Sequence, residues 1–137
     1  PAAGYLEYGH VKLREQLGLL SGPVEEFQKS AADEHNAMLR MLVEEGYLDK
    51  AALDDEAANE NEIVDALYRG LKGSPCKLMA ASIVDAVGEK RTQNQPGTNN
   101  EYPNWRIPLA DGDGNVVPLE KLFNEPRLQE ITAIMRG

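Results

Sequence analysis

In the first third of the chain, apolar residues recur at the three- and four-residue spacings of amphipathic helices. Leucines between Tyr5 and Leu20 lie seven, four and three residues apart and predict a first helix. A second helix is predicted to begin after Pro23, which suits a first helical turn, and to end at Gly46 in a left-handed cap. Its apolar face comprises Val24, Phe27, Ala31, His35, Met38 and Leu42.

Two further helical segments follow, separated by an acidic stretch. Asp49 can cap a short helix over residues 50–53. Five carboxylates between residues 54 and 62 are interpreted as the solvated entry to the next helix, because negative charge there complements the helix dipole. That helix is predicted to end near Gly73, and its apolar side comprises Ile63, Val64, Leu67 and Leu71.

The apolar run over residues 78–84 follows a Gly-Ser-Pro breaker and has no clear period. A run of this length fits either a buried strand or a buried turn of helix, and we favour the strand.

Aliphatic residues almost disappear between Gly88 and Arg106, which predicts a long loop. Loops of this length are usually functional or disordered, and the presence of the only tryptophan, Trp105, disfavours disorder. Beyond the loop, the turn cluster of residues 111–115 can close a small hairpin. Pro118 opens a last helix, and a further helical turn begins at Pro126. These patterns together predict a mainly α fold with one or two short strands.

The charge balance argues against two classes of binding partner, nucleic acids and anionic membranes. With 14 Lys and Arg against 23 Asp and Glu, the net charge is −9, and no basic block is present for nucleic acid or an anionic membrane. No apolar run approaches the ~20 residues of a membrane span. The single cysteine, Cys76, cannot form an internal disulfide, so we expect a cytoplasmic protein. Because the chain starts at Pro1 without methionine, we expect a processed product or a piece of a longer protein.

Metal and nucleophile motifs fail on spacing. Asp111 begins a turn similar to a calcium loop, but the positions that need Gly and Glu hold Val116 and Leu122. The histidines and Cys76 have no partner at zinc-ligand spacing, and no phosphate-binding glycine loop occurs. We expect neither metal nor cofactor, a hydrogen-bonded core or interface position for His35, and a buried structural role for Cys76.

The long loop carries side chains suited to a sugar. Asn, Thr and Arg supply planar donors and acceptors for vicinal hydroxyls, and an aromatic ring supplies a face for a pyranose. The alternative interpretation is structural, with Trp105 anchoring the loop to the core and Asn94 bonding its own backbone. Composition alone leaves both open.

The loop contains two motifs that are more specific than its composition. They are Asn94-Gln95-Pro96-Gly97-Thr98 and, after a short spacer, Asn104-Trp105-Arg106. The pair resembles the signature near the carboxyl end of the 4-α-glucanotransferases, also called amylomaltases. Ala3-Gly4-Tyr5 resembles the segment just after that family's His-Asp motif, and the helices up to Leu71 are similar to its late helices.

The resemblance implies the C-terminal part of a (β/α)8 TIM barrel of the α-amylase clan. Residues 1–73 then form helices, and residues 74–87 form the last barrel strand, around Leu78–Ser82, together with its turn. Residues 88–106 form a substrate-side loop, and residues 107–137 form a hairpin and the closing helix. The implied activity is transfer of α-1,4-glucan segments with retention, through a glycosyl-enzyme intermediate that needs two carboxyl groups. In the family those groups lie upstream of the position of Pro1, so we expect no catalytic residue here and no activity from the chain alone.

The resemblance also implies substrate-binding residues on the loop, with Trp105 expected mainly as a packing anchor. They are Asn94, Pro96, Gly97, Thr98, Asn104, Trp105 and Arg106. The implied partner is an α-1,4-glucan or maltooligosaccharide, which needs no basic surface. A rival hypothesis is a non-enzymatic acidic helical module that binds proteins through the loop. Because an isolated barrel strand exposes its edges and apolar faces, we expect the chain to self-associate.

Overall fold

The computed structural model describes residues 1–136 and is mainly helical, as predicted. In this part of the chain, seven α-helices and one 3-10 helix are connected by turns and by one long loop. The helices are α1 (Ala2–Leu6), α2 (Gly9–Gln16), α3 (Val24–Glu44), α4 (Glu60–Gly73), α5 (Ile83–Ala86), α6 (Leu119–Leu122) and α7 (Pro126–Arg136), with the 3-10 helix at Lys50–Asp55. None of the helices in the described chain is long and apolar enough to cross a membrane.

The second predicted helix is confirmed as α3. Pro23 occupies its amino-terminal cap position, and Gly46 just beyond its end has a φ of 76°, the left-handed conformation that glycine adopts without strain. The apolar face is buried at Ala31, His35, Leu39 and Leu42. The cap on the 3-10 helix is also confirmed, because the Asp49 carboxylate accepts a hydrogen bond from the amide of Ala51 at 2.9 Å.

The first predicted helix is instead two helices, α1 and α2, separated by a turn at Tyr8 with a φ of 59°. Tight backbone contacts explain the break. A Cβ atom on Gly9 would lie 2.8 Å from the carbonyl oxygen of Gly4, so the two segments approach more closely than side chains allow. The Tyr8 ring lies 5.3 Å from the His35 ring of α3, which holds the turn against the helical core.

The core consists of two hydrophobic clusters that share α4. One contains Leu39, Leu42, Leu48, Ala52, Ile63 and Ala66, and the other contains Val64, Tyr68, Ala86 and Ile131. Helix α4 therefore packs on α3 and the 3-10 helix with one side and on α5 and α7 with the other. To bury both sides, α4 needs an apolar face that is wide enough to contact helices on either side of it.

Polar contacts fix the elements around α4. The Tyr68 hydroxyl donates to the carboxylate of Asp85 at 2.7 Å, and the other oxygen of that carboxylate accepts from the Ala2 amide at 2.7 Å. Burial, followed by the hydrogen bond to Asp85, raises the pKa of Tyr68 to about 12. Arg127 of α7 forms a bidentate pair with Asp65 of α4 at 2.8 and 3.1 Å. These contacts join α1, α4, α5 and α7.

The predicted strand at Leu78–Ser82 is not formed, so this expectation is wrong for the chain as it folds here. A strand needs a neighbouring strand to pair its backbone N–H and C=O groups, and no sheet occurs within residues 1–136. Leu78 is 93% exposed and nearby Cys76 is exposed as well. The expectation that Cys76 is buried is therefore also wrong.

The small hairpin is confirmed in a minimal form. One antiparallel bridge pairs Ala110 with Val116, and the Asp111 carboxylate fills the turn by accepting from the amides of Asp113 at 3.0 Å and Asn115 at 2.8 Å. Because that carboxylate is already occupied by amides of its own turn, the segment is a structural turn. No group of three or more potential metal ligands is found among the described residues.

We predict that Gly4→Ala destabilises the fold strongly. A Cβ atom on Gly4 would lie 2.0 Å from the carbonyl oxygen of Lys90, a backbone atom that cannot move aside without displacing the loop. The expected loss is about 3 kcal/mol in the free energy of unfolding, measured by urea denaturation followed by circular dichroism.

The matched control is Gly70→Ala in α4, where the new atom meets side-chain carbons at 3.5 and 3.6 Å, an ordinary contact distance. Because alanine is the better helix former, this variant is expected to be neutral or more stable by about 0.5 kcal/mol. Equal stability of the two variants would contradict the close contact between α1 and the loop.

Candidate functional site

A cleft of about 640 Å³ lies between the first two helices and the long loop. Its volume lies within the range of roughly 300–1,000 Å³ usual for small-molecule sites. One wall consists of Pro1, Gly4, Tyr5, Gly9, His10, Lys12, Leu13 and Gln16. The other wall consists of Lys90, Arg91, Thr92, Asn94, Gln95, Pro96, Tyr102, Pro103 and Ile107.

Aromatic rings form part of the helical wall. The rings of Tyr5 and His10 stack with centroids 5.0 Å apart and an angle of 14° between their planes. Burial lowers the pKa of His10, and the charge of Arg14 lowers it further, which outweighs the opposing effect of Glu34. Because the pKa falls below the usual 6.5, the ring is neutral at pH 7. Its Nδ1 is buried and has no hydrogen-bond partner.

The loop is attached to the fold at its first residues by a buried carboxylate. Glu89 is 1% exposed and accepts from the Arg91 amide at 2.9 Å, the Arg91 guanidinium at 2.9 and 2.7 Å, and the Ala110 amide at 3.0 Å. Arg91 also donates to the carbonyl oxygen of Pro108 at 2.9 Å. One carboxylate therefore connects the start of the loop to the hairpin.

The pKa of Glu89 reflects this environment. Burial alone raises it, but the hydrogen bonds from Arg91 and Ala110 and the Arg91 charge together hold the pKa below its usual value of 4.5. The carboxylate is thus ionised and fully occupied, which makes it a structural group and unsuitable as a proton donor at neutral pH.

The neighbouring residue, Lys90, attaches the same part of the loop to α1. Its ammonium group pairs with Glu7, and its carbonyl oxygen lies against Gly4. The hydrogen bond to Glu7 raises the pKa of Lys90. Together with Glu89, this contact sets the distance between the two walls of the cleft.

Beyond these attachments the loop is held by its own side chains. Asn104 accepts from the Gln95 amide at 2.7 Å through Oδ1 and donates to the Thr98 hydroxyl at 2.9 Å through Nδ2. That hydroxyl donates to the carbonyl oxygen of Gln95 at 2.7 Å. The Tyr102 hydroxyl donates to the carbonyl oxygen of Thr92 at 2.6 Å. The loop thereby adopts one shape without regular secondary structure.

The predicted substrate-side residues separate into two groups. Asn94 and Pro96 line the cleft, whereas Gly97, Thr98, Asn104 and Arg106 do not. Thr98 and Asn104 form the internal hydrogen bonds just described. Gly97 has a φ of 87° and lies beside Leu19, where a Cβ atom would come within 3.5 Å of a Leu19 methyl group.

Trp105 is not the packing anchor that was expected, because it is 76% exposed. Its φ is 59°, and its amide donates to the carbonyl oxygen of Gln93 at 2.8 Å. The anchoring role falls to Glu89, which accepts from the backbone amides of Arg91 and Ala110, and to Tyr102, which donates to the carbonyl oxygen of Thr92.

The sequence interpretation missed Glu89, Arg91, Tyr5 and His10. Glu89 and Arg91 are two residues apart at the entry to the loop, a spacing that allows their side chains to lie on the same side of an extended segment. That signal was available. The Tyr5–His10 stack was not predictable, because it depends on the break between α1 and α2. The expected hydrogen-bonded core position of His35 is confirmed, since its ring nitrogen lies 2.7 Å from the Glu56 carboxylate and the residue is 3% exposed.

The cleft combines apolar surface with several polar groups. Its aromatic and aliphatic walls carry amide, hydroxyl and cationic groups, and none of its lining residues among 1–136 is Asp or Glu. A carboxylate nucleophile and a carboxylic general acid therefore have no candidate among the described lining residues of this cleft.

Comparison with known proteins gives a consistent result. The sequence pattern of the family described as 4-alpha-glucanotransferase matches residues 2–112. Curated 4-alpha-glucanotransferases of Mycobacterium bovis and Mycobacterium tuberculosis are each 45% identical over 137 residues, which is 100% of this chain and 18% of the relative. The chain thus spans 18% of the length of these curated relatives.

The fold is similar to part of a solved structure. The crystal structure of amylomaltase from Corynebacterium glutamicum superposes with a TM-score of 0.88 at 33% sequence identity, covering 98% of this chain and 20% of that one. These comparisons favour the glucanotransferase interpretation over the acidic interaction module.

We predict that Glu89→Gln lowers stability at neutral pH and removes one source of acid sensitivity. The folded-state pKa of Glu89 is depressed, so its contribution is fully present above the ordinary value of 4.5 and is lost as the pH falls through the lower folded-state pKa. At pH 7 the expected loss is about 2 kcal/mol, because Arg91 loses a charged acceptor.

The measurement is the free energy of unfolding between pH 7 and pH 3 for the wild type and two variants. Glu120→Gln, at an exposed carboxylate on α6, is the control and is expected to follow the wild-type curve. A Glu89→Gln curve parallel to that of the wild type below pH 4.5 would show that the carboxylate is not the acid-sensitive group.

Proposed function

The chain belongs to the 4-alpha-glucanotransferase family, and from that premise we propose that it forms the C-terminal portion of an enzyme that transfers α-1,4-glucan segments between glucan chains. The observation that carries the proposal is the position of Asn94 and Pro96 in the wall of a cleft free of carboxylates. Such a cleft suits a neutral sugar, whose hydroxyl groups need amide partners and whose ring faces pack on apolar surface.

The proposed division of the chain follows the barrel arrangement. Residues 1–73 supply late helices, 74–87 the last barrel strand with its turn, 88–106 the substrate-side loop, and 107–137 the hairpin and closing helix, of which Gly137 lies outside the described residues. Residues 78–82 form no strand in this chain, and the proposal is that they pair as a strand only with parallel neighbours from the rest of the barrel. The 93% exposure of Leu78 supports this, because such pairing would bury an apolar segment. A loop directly after the last strand then lies at the carboxyl ends of the strands, where barrel enzymes bind substrate.

In the proposed mechanism this chain binds and orients the glucan and does not break bonds. Retaining transfer needs a nucleophilic carboxylate and an acid/base carboxyl about 5 Å apart. Glu7 and Glu89, which lie beside the cleft, are paired with Lys90 and Arg91 of its lining. We therefore assign the chemistry to residues upstream of Pro1, and assign to Asn94 the task of holding sugar hydroxyls while Pro96 shapes the wall beside it.

The proposal predicts a sharp difference between this chain and the product of the whole reading frame that encodes it. With maltotriose as sole substrate, the longer product is expected to release glucose and form longer maltooligosaccharides, whereas the purified 137-residue chain is expected to release none. Asn94→Ala in the longer product is expected to lower kcat/KM by about ten-fold or more, the effect of losing one or two hydrogen bonds to substrate.

Asn99→Ala is the matched control, because Asn99 lies on the same loop outside the cleft lining. It bonds to Glu101 and Asn104 through its own backbone N–H and C=O groups, which the substitution keeps. It is expected to retain nearly full activity. Glucose release by the 137-residue chain, or a reading frame without several hundred upstream codons, would refute the proposal.

We also propose that the chain acts in the cytoplasm and that it self-associates when isolated. The single cysteine requires no oxidising compartment. Leu78 at 93% exposure and Ile83 at 51% lie on either side of the unpaired segment, and burial of such surface against a second copy is favourable.

Self-association predicts concentration-dependent sedimentation of the isolated chain. Leu78→Glu is expected to shift the distribution toward monomer, because burial of an unpaired carboxylate opposes the contact. Lys77→Glu, at the exposed neighbouring position, controls for the change in charge. A monomer at all concentrations in the wild type is the result that contradicts this prediction.

A further inference from the structure

Trp105 combines exposure, strain and a fixed backbone in a way that packing does not explain. The residue is 76% exposed, and only it and Tyr8 have positive φ among the described non-glycine residues. The strain at Tyr8 has a structural reason, because that residue turns the chain between α1 and α2 and contacts His35. Trp105 turns no helix and contributes to neither hydrophobic cluster.

Several hydrogen bonds within the loop nevertheless hold the backbone of Trp105 in place. Its own amide donates to Gln93 at 2.8 Å, and the next amide, that of Arg106, donates to Pro103 at 3.0 Å. On the other side, Asn104 is locked by Gln95 and Thr98. A conformation that costs energy and persists because its surroundings enforce it is typical of functional positions.

The position of Trp105 relative to the cleft identifies what the ring can contact. Pro103 and Ile107, on either side of it in sequence, line the cleft, as do Thr92 and Asn94, which flank its hydrogen-bond partner Gln93. Trp105 itself does not line the cleft. Trp105 therefore belongs to the loop that forms one wall of the cleft, lies between two lining residues in sequence, and exposes a ring that is not itself part of the lining.

We propose that Trp105 is an aromatic platform for the part of a long glucan that extends beyond the cleft, and that it makes the enzyme select for chain length. This inference rests on the proposed function, because it takes a neutral α-1,4-glucan as the ligand. An indole face packs against the C–H groups of a pyranose, and its contribution requires no charge. A glucan short enough to lie within the cleft does not reach the ring.

The test compares substrates of two lengths in the product of the whole reading frame. Trp105→Ala is expected to raise KM for maltoheptaose about five-fold, to change KM for maltotriose by less than about two-fold, and to leave kcat unaltered. Trp105→Phe keeps a ring face and is expected to restore most of the affinity for maltoheptaose. Phe123→Ala is the control, because it removes an aromatic ring that is 69% exposed just after α6 and outside the cleft lining; it is expected to leave the preference for length unchanged.

Three results would overturn the inference in distinguishable ways. Equal losses of Trp105→Ala on both substrates, with a lower Tm, would show that the ring packs against another part of the enzyme. No loss on either substrate, together with a defect in Asn94→Ala, would remove the platform and leave the proposed function standing. Absence of disproportionation in the wild-type product would remove both proposals.

Discussion

The buried carboxylate of Glu89 is the constraint on which the rest of the site depends. Leaving such a charge without its partners costs about 3–5 kcal/mol, so the loop entry, the Arg91 side chain and the hairpin amide of Ala110 must assemble together. The hairpin is too small to be stable by itself, with one bridge between Ala110 and Val116. It is fixed because Glu89 accepts from it. This arrangement also fixes the position of the loop wall of the cleft, because Lys90 follows Glu89 and its carbonyl oxygen contacts Gly4.

A loop built in this way reconciles rigidity with a polar, glycine-containing sequence. Asn104, Thr98 and Tyr102 direct their polar atoms to other parts of the loop and hold it in shape. Asn94 lines the cleft and Trp105 is exposed to solvent. The residues of this loop thus divide into those that hold its shape and those that are available to a ligand. Residue type alone does not reveal this division, because Asn94 and Asn104 offer the same chemical groups.

The sequence predicted the helices well where local periodicity and capping determine them. Helix α3 begins directly after Pro23 and ends before Gly46, and the 3-10 helix begins after Asp49, because proline, glycine and aspartate act on their immediate neighbours. The break at Tyr8 was not predictable, since the leucine spacing continues across it and its cause is a contact with Gly4 and His35. The strand at Leu78–Ser82 failed for a related reason: its pattern describes a segment whose partners must come from elsewhere. For the site, the motif identified the loop, but exposure of Trp105 and burial of Glu89 depend on tertiary contacts.

The two walls of the cleft come from distant segments of one short chain, and the pair between Glu7 and Lys90, 83 residues apart, connects them. The geometry of the cleft is therefore set by contacts internal to this chain, whereas we propose that the paired carboxylates of glucan transfer lie in the region before it. Separating the two has a physical advantage. In the proposed function, a neutral glucan is held by amides and ring faces of a cleft whose described lining contains no Asp or Glu, so the lining adds no carboxylate that would raise the pKa of the catalytic carboxyl groups. None of the Asp and Glu residues behind the net charge of −9 lines the cleft, and an uncharged glucan of the kind proposed would be neither attracted nor repelled by them.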